Sequence, residues 1–166
     1  MEVVVRRART ADVRRIRALI DTYSGERRLL SKATVTLYED VQEFWVAERL
    51  VDGAIVGCGA LHVMWEDLAE IRTLAVDPAC RGQKVGHRIV TELLNTARDL
   101  GIPRVFCLTF ETGFFASFGF VPIDGAPVPA RSTSSCSART TRASPSSSAW
   151  SASSRTRWAT PGCSST

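Results

Sequence analysis

After Asp124 the chain holds no acidic residue, and after Ile123 no leucine, isoleucine, phenylalanine, methionine or lysine. Residues 128–166, "VPARSTSSCSARTTRASPSSSAWSASSRTRWATPGCSST", are mostly serine, threonine, alanine and arginine. Such a composition cannot bury enough apolar surface to offset the entropy of ordering it. Whatever folds must be built from residues 1–127, a length that still encloses a core. Residues 128–166 are expected to form a disordered Ser/Arg-rich tail.

The same break divides the charge. The formal net charge is +4, but five of the 21 cations lie in the tail. The first 127 residues hold 16 cations against 17 acids, so the body is near neutral and the basic character belongs to the tail. Binding of nucleic acid through the tail stays as the alternative from another class, although the tail lacks the basic helix or aromatic spacing of such binders. Five cysteines without a C-x-x-C pair indicate neither a zinc site nor a disulfide framework. "MEVVVRRART" lacks the apolar stretch of a secretory signal, and "AIVGCGALHVMW" falls short of the roughly 18 residues of a membrane helix. The expectation is a reduced, cytoplasmic protein with no metal and no membrane partner.

Within the body, "EVVVRRA" reads as a first strand. Thr10 is expected to cap a helix whose apolar face is Val13, Ile16, Leu19, Ile20 and Tyr23. "TVTLYEDVQEF" fits a second, shorter helix, and "FWVAERL" with "AIVGCGALHVMW" a strand pair turning at Asp52-Gly53. "LAEIRTLAVDP" is the next strand, residues 83–100 a helix closed by Gly101, "RVFCLTF" a strand, "TGFFASF" a short helix and "GFVPI" the start of a strand. The order β-α-α-β-β-β-α-β-α-β predicts an α/β fold, a mixed, mostly antiparallel sheet flanked by helices.

"CRGQKVG", residues 80–86, joins a strand to a helix. Backbone N–H groups opening a helix form a ready anion site, and Gly82 and Gly86 let a phosphate approach the main chain while Arg81 and Lys84 add charge. A glycine-softened turn with solvated cations is the plainer alternative. Neither a Walker loop nor a dinucleotide fingerprint is present.

Taken together, "LAVDPACRGQKVGHRIV" and "FETGFFASFGFVPI" resemble the GCN5-related N-acetyltransferase (GNAT) family, with Lys84 where the family's middle glycine stands. "RLLSKATVTLYEDVQEFWVAE", "EIRTLAVDP" and "VFCLTFETGFFASFGF" are similar to the short actinobacterial amino-acid N-acetyltransferases and N-acetylglutamate synthases. The resemblance implies a GNAT domain over residues 1–127, acetyl-CoA as co-substrate, and an amino acid, L-glutamate, as acceptor at the entry to arginine biosynthesis. It implies cofactor contacts from the main chain of Leu74, Ala75 and Val76 and from Arg81, Gly82, Gln83, Lys84, Val85, Gly86 and His87. Glu70 is implied as the general base, with a solvated strand-edge carboxylate as the alternative. Lys32 is implied as a substrate contact, or is a solvated loop lysine; Arg72 is a second substrate-binding candidate if its strand face meets the cleft. Phe115 stands where many family members carry a tyrosine general acid, so Thr109, Ser117 or water is left to protonate the thiolate. His62 reads as a packing or solvated residue, and Phe114, Phe115 and Phe118 as core. Another amine acceptor, such as a protein N-terminus or an antibiotic, is the alternative activity, and a homodimer is left open.

The resemblance also implies an acidic, leucine-containing helix and a final strand where the tail stands. Reading the codons of Trp158 to Cys163 one base earlier permits Leu-Gly-Asn-Thr-Arg-Met, the sequence expected there. The tail is therefore expected to be an out-of-frame translation, the sheet to lack its last strand, and glutamate acetylation by this chain to be weak or absent.

Overall fold

A computed structural model describes residues 2–24 and 33–123, and residues 156–159 as backbone. The remainder of the tail and Lys32 lie outside the described residues. The sheet runs β1 (Val3–Arg7), β2 (Phe44–Arg49), β3 (Ile55–Trp65), β4 (Leu68–Val76), β5 (Arg104–Thr109), β7 (Thr156–Ala159) and β6 (Val121–Pro122) in spatial order. All pairings are antiparallel except β4 with β5. The mixed, mostly antiparallel sheet flanked by helices is the one the sequence suggested, and the four-residue β7 runs beside β5 and β6. The outer edge of β5 offers unpaired N–H and C=O groups, which an extended segment can satisfy whatever its side chains.

One face of the sheet is covered by α1 (Val13–Ser24) and α2 (Thr34–Glu39). Val13, Ile16, Leu19 and Ile20 are buried there against Phe44, Val46 and Cys58. The other face carries α3 (Val85–Asp99), whose Val85, Ile89, Val90, Leu93 and Ala97 pack on Val56, Leu61, Ile71 and Val105. This close seating depends on Gly59: a Cβ there would lie 2.8 Å from Ile89 and 3.1 Å from Leu74. A short helix, α4 (Thr112–Ala116), leads into Phe120, and Phe115 and Phe120 join the core.

The entry to α1 differs from expectation. Thr10 lies inside a 3₁₀ turn that Arg9 caps. The Asp12 carboxylate accepts the Arg9 N–H at 2.8 Å and the Arg6 guanidinium at 2.7 and 3.1 Å. These charge-assisted bonds hold Asp12 below the usual carboxylate range, Arg6 first, and outcompete a neutral hydroxyl cap. At the other end of the sheet the turn at Asp52-Gly53 forms as expected, with Gly53 at φ 68°.

Candidate active site

The site begins with a parting of two strands. Parallel pairing of β4 with β5 covers only Leu68–Ile71 against Arg104–Cys107. Beyond it the strands diverge around a cleft of about 540 Å³. Backbone groups of residues 72–76 on that side meet no neighbouring strand and are left to bond an extended ligand. The bend is built by a bulge opposite Cys58–Ala60, where Thr73 takes φ 58°, a costly conformation for a β-branched residue.

At one end of the cleft lies the strand-to-helix joint. Asp77 caps the turn after β4 by accepting the Ala79 N–H at 3.0 Å. Gly82 (φ 76°) and Lys84 (φ 59°) then turn the chain into α3 through the left-handed region. Helix α3 thus starts at Val85 rather than at Gln83, because the left-handed Lys84 cannot belong to it. Arg81, Gly82, Lys84, Val85, Gly86 and His87 line the cleft. Gln83 does not; its amide turns back toward the Ala79 carbonyl at 3.5 Å. Three cationic or ionisable side chains and the first N–H groups of a 15-residue helix thus converge on one corner.

Leu74, Ala75 and Val76 also border the cleft, and so do Arg72 and Thr109. Tyr23 was missed. Its hydroxyl donates to the Val76 carbonyl at 2.5 Å, and the Arg81 guanidinium lies 5.7 Å from its ring centre. On helical spacing alone Tyr23 is one more apolar-face residue, and only its placement 53 residues from Val76 makes it part of the site.

Glu70 and Arg72 share the face that α1 covers, by strand alternation. Glu70 is half-buried just before the cleft's first strand residue, Ile71. Its negative charge is felt by Cys107, a cleft residue whose thiol burial pushes up to about 12. Arg72 is engaged rather than waiting: Glu43 holds it at 2.9 Å and Asp40 at 3.3 Å. Phe115 is buried against Phe120, while Phe114 borders the cleft and would touch a Cβ on Gly86 at 3.4 Å. His87 packs edge-on to Phe114 at 4.8 Å, so it is both a packing residue and part of the wall.

The model of the acetyltransferase (GNAT) family matches residues 3–120 of this chain. The chain belongs to the GNAT acetyltransferase family. This acetyltransferase is 63% identical over 128 residues to an amino-acid acetyltransferase of Mycobacterium tuberculosis, covering 76% of this chain and 73% of that protein. A solved M. tuberculosis structure in complex with CoA and NLQ superposes with a TM-score of 0.74 at 63% identity, over 77% of each chain. N-acetylglutamate synthase from Neisseria gonorrhoeae, complexed with coenzyme A and N-acetyl-glutamate, gives a TM-score of 0.75 at 27% identity. There the match covers 96% of this chain but 35% of that one. Among the described residues no three His, Cys, Asp or Glu side chains could hold a metal, and no helix is long and apolar enough to cross a membrane.

Proposed function

We propose that this GNAT enzyme transfers the acetyl group of acetyl-CoA to the α-amine of an amino acid, L-glutamate, yielding N-acetylglutamate and CoA in the cytoplasm at the entry to arginine biosynthesis. The observation that carries the reading is the cleft itself: a slot whose strand edge is unpaired, ending at cations and helix N–H groups. Such a slot suits an extended amide-bearing arm with a pyrophosphate at its end. The names of the M. tuberculosis and Neisseria relatives support the amino-acid acceptor.

In this reading Glu70 removes a proton from the acceptor ammonium, and the free amine attacks the thioester carbonyl. Main-chain N–H groups of residues 74–76 stabilise the oxyanion. The C–S bond breaks, and the second proton of the newly acylated nitrogen passes through the Thr109 hydroxyl or water to the departing thiolate. Lys32, outside the described residues, remains a proposed contact for a substrate carboxylate. Arg72 serves the same end less directly, since Asp40 and Glu43 already neutralise it.

The test is thiol release from acetyl-CoA with L-glutamate against a panel of amino acids, peptide N-termini and antibiotic amines. Glu70→Gln should lower turnover by about 10²–10⁴, the usual size of a general-base effect, with acetyl-CoA binding intact. A loss below about threefold leaves bulk solvent as the proton acceptor and Glu70 structural.

We also propose that residues 128–166 are read out of frame, on the compositional break and on the shifted codons of Trp158 to Cys163. Sequencing the source DNA decides it: a clean in-frame reading together with full activity of this chain rejects the proposal.

A further inference from the structure

An ionic chain runs along the sheet face that α1 covers. Glu43, in the turn before β2, bonds His62 Nδ1 at 2.7 Å and Arg72 at 2.9 Å through its two oxygens. Asp40, after α2, holds the same guanidinium at 3.3 Å. His62 stands directly opposite Glu70 in the β3–β4 register, as Ala60 stands opposite Arg72. Facing residues of an antiparallel pair carry their Cβ atoms about 4.5–5.5 Å apart on one side of the sheet. The groups facing the imidazole among the described residues are therefore Glu43 from the turn, Glu70 and Arg72 from β4, and Asp40 beyond Arg72.

This arrangement orients the imidazole. An ionised carboxylate only accepts, so a hydrogen bond from Nδ1 to Glu43 places the proton on Nδ1 and leaves the lone pair on Nε2. Arg72 on the second oxygen holds Glu43 stationary. The ring is thus oriented with Nε2 turned away from Glu43, one strand away from Glu70, and any positive charge it gains lies against a carboxylate. His62 is 35% exposed, so a proton it receives can leave to water.

We propose that His62 is a proton-relay residue acting through Glu70, with Glu43 as the group that positions it; the proposal rests on the acetyl-transfer reading above. The acceptor ammonium gives one proton to the Glu70 carboxylate. The Glu70 carboxyl then passes that proton to His62 Nε2, which regenerates the base, and the imidazolium releases it to solvent. No bond other than these N–H and O–H bonds is made or broken in the relay.

The experiment is single-turnover acetyl transfer across neutral and alkaline pH, with acetyl-CoA binding and melting temperature measured alongside. His62→Gln can still donate to Glu43 but cannot carry a proton, and it should slow transfer about tenfold or more near neutrality, with the loss shrinking in alkaline buffer. His62→Ala should be rescued in part by added imidazole, whereas Glu70→Gln should not. Glu43→Gln should be impaired, because a side-chain amide can donate to Nδ1 and favour the wrong tautomer. A His62→Gln enzyme within about threefold of wild type at every pH, or a His62→Ala loss that imidazole leaves untouched, rejects the relay while Glu70 keeps its role. Acetyl transfer to no amine, both by this chain and by one whose tail is read in the restored frame, rejects relay and reading together.

Discussion

Lys84 should trade stability for binding. It sits at φ 59° and ψ 17° with no side-chain cap to the helix it precedes. A left-handed conformation costs a residue with a Cβ about 1–2 kcal/mol. Lys84→Gly removes that strain but loosens the unfolded chain, which returns about 0.4–1 kcal/mol. The net expectation is a gain of roughly 0.5–1 kcal/mol, a rise in melting temperature of about 2–4 °C. Binding should move the other way. The side chain is exposed at the edge of the cleft, so its attraction to a phosphate is worth about 1 kcal/mol, a fivefold loss of acetyl-CoA affinity that fades in high salt. Lys84→Ala separates the two effects, since it loses the charge and keeps the strain. Thermal unfolding of the free chain and calorimetric titration with acetyl-CoA measure both quantities. A glycine variant less stable than wild type, or an alanine variant as stable as the glycine one, would refute the strain argument.

Gly86→Asp places a carboxylate in the anion corner beside Phe114, and calorimetry should record an acetyl-CoA affinity lower by about a hundredfold, or 2.7 kcal/mol, in a domain that still melts cooperatively. The Arg6–Asp12 pair makes stability depend on acid. Because the folded carboxyl titrates below its unfolded value of about 3.9, its contribution is complete above that pH and disappears as pH falls through the folded value. Asp12→Asn should therefore lose about 1.5–3 kcal/mol at neutral pH in denaturant titrations, and the gap from wild type should narrow in acid. Cys58 and Cys107, both pushed up to about 12 by burial, should resist iodoacetamide in the native protein at mildly alkaline pH and react only after unfolding, as peptide mass spectrometry would show. Rapid native labelling of either would mean that the sheet opens there.

The strands and helices of the body were legible because each carries its own period. The face of Ile89, Leu93 and Ala97 is a helix whatever lies across from it, and Gly101 ends it at φ 72°. The anion corner was legible as well, since its glycines and cations are neighbours in the chain. What escaped was set by contacts distant in sequence. The Tyr23 hydroxyl reaches Val76, Glu43 reaches His62 and Arg72, and none of these pairs has a local signature. The strand bulge was equally hidden: Thr73 has nothing in its identity that favours φ 58°, and the register with Cys58 and Ala60 imposes it. The left-handed Lys84 looked like a substitution in a motif, and the structure turns it into a local conformational cost.

Strand β7 lies between β5 and β6, yet residues 123–155 separate it from β6 in the chain. Bringing the ends of so long a connection together costs roughly 3 kcal/mol. Four residues of backbone pairing, at about 0.5–1.5 kcal/mol for each hydrogen bond, return a sum of the same order. The strand is therefore a late arrival in folding and an early departure in local opening, while the β3–β4 hairpin, joined by a two-residue turn, assembles first. Hydrogen exchange would divide the sheet accordingly, with amides of Phe106–Thr109 that bond β7 exchanging by local opening and those of β3 and β4 only by global unfolding. The edge of β5 that faces away from β4 and the cleft is thus the one that opens while the rest of the domain stays folded.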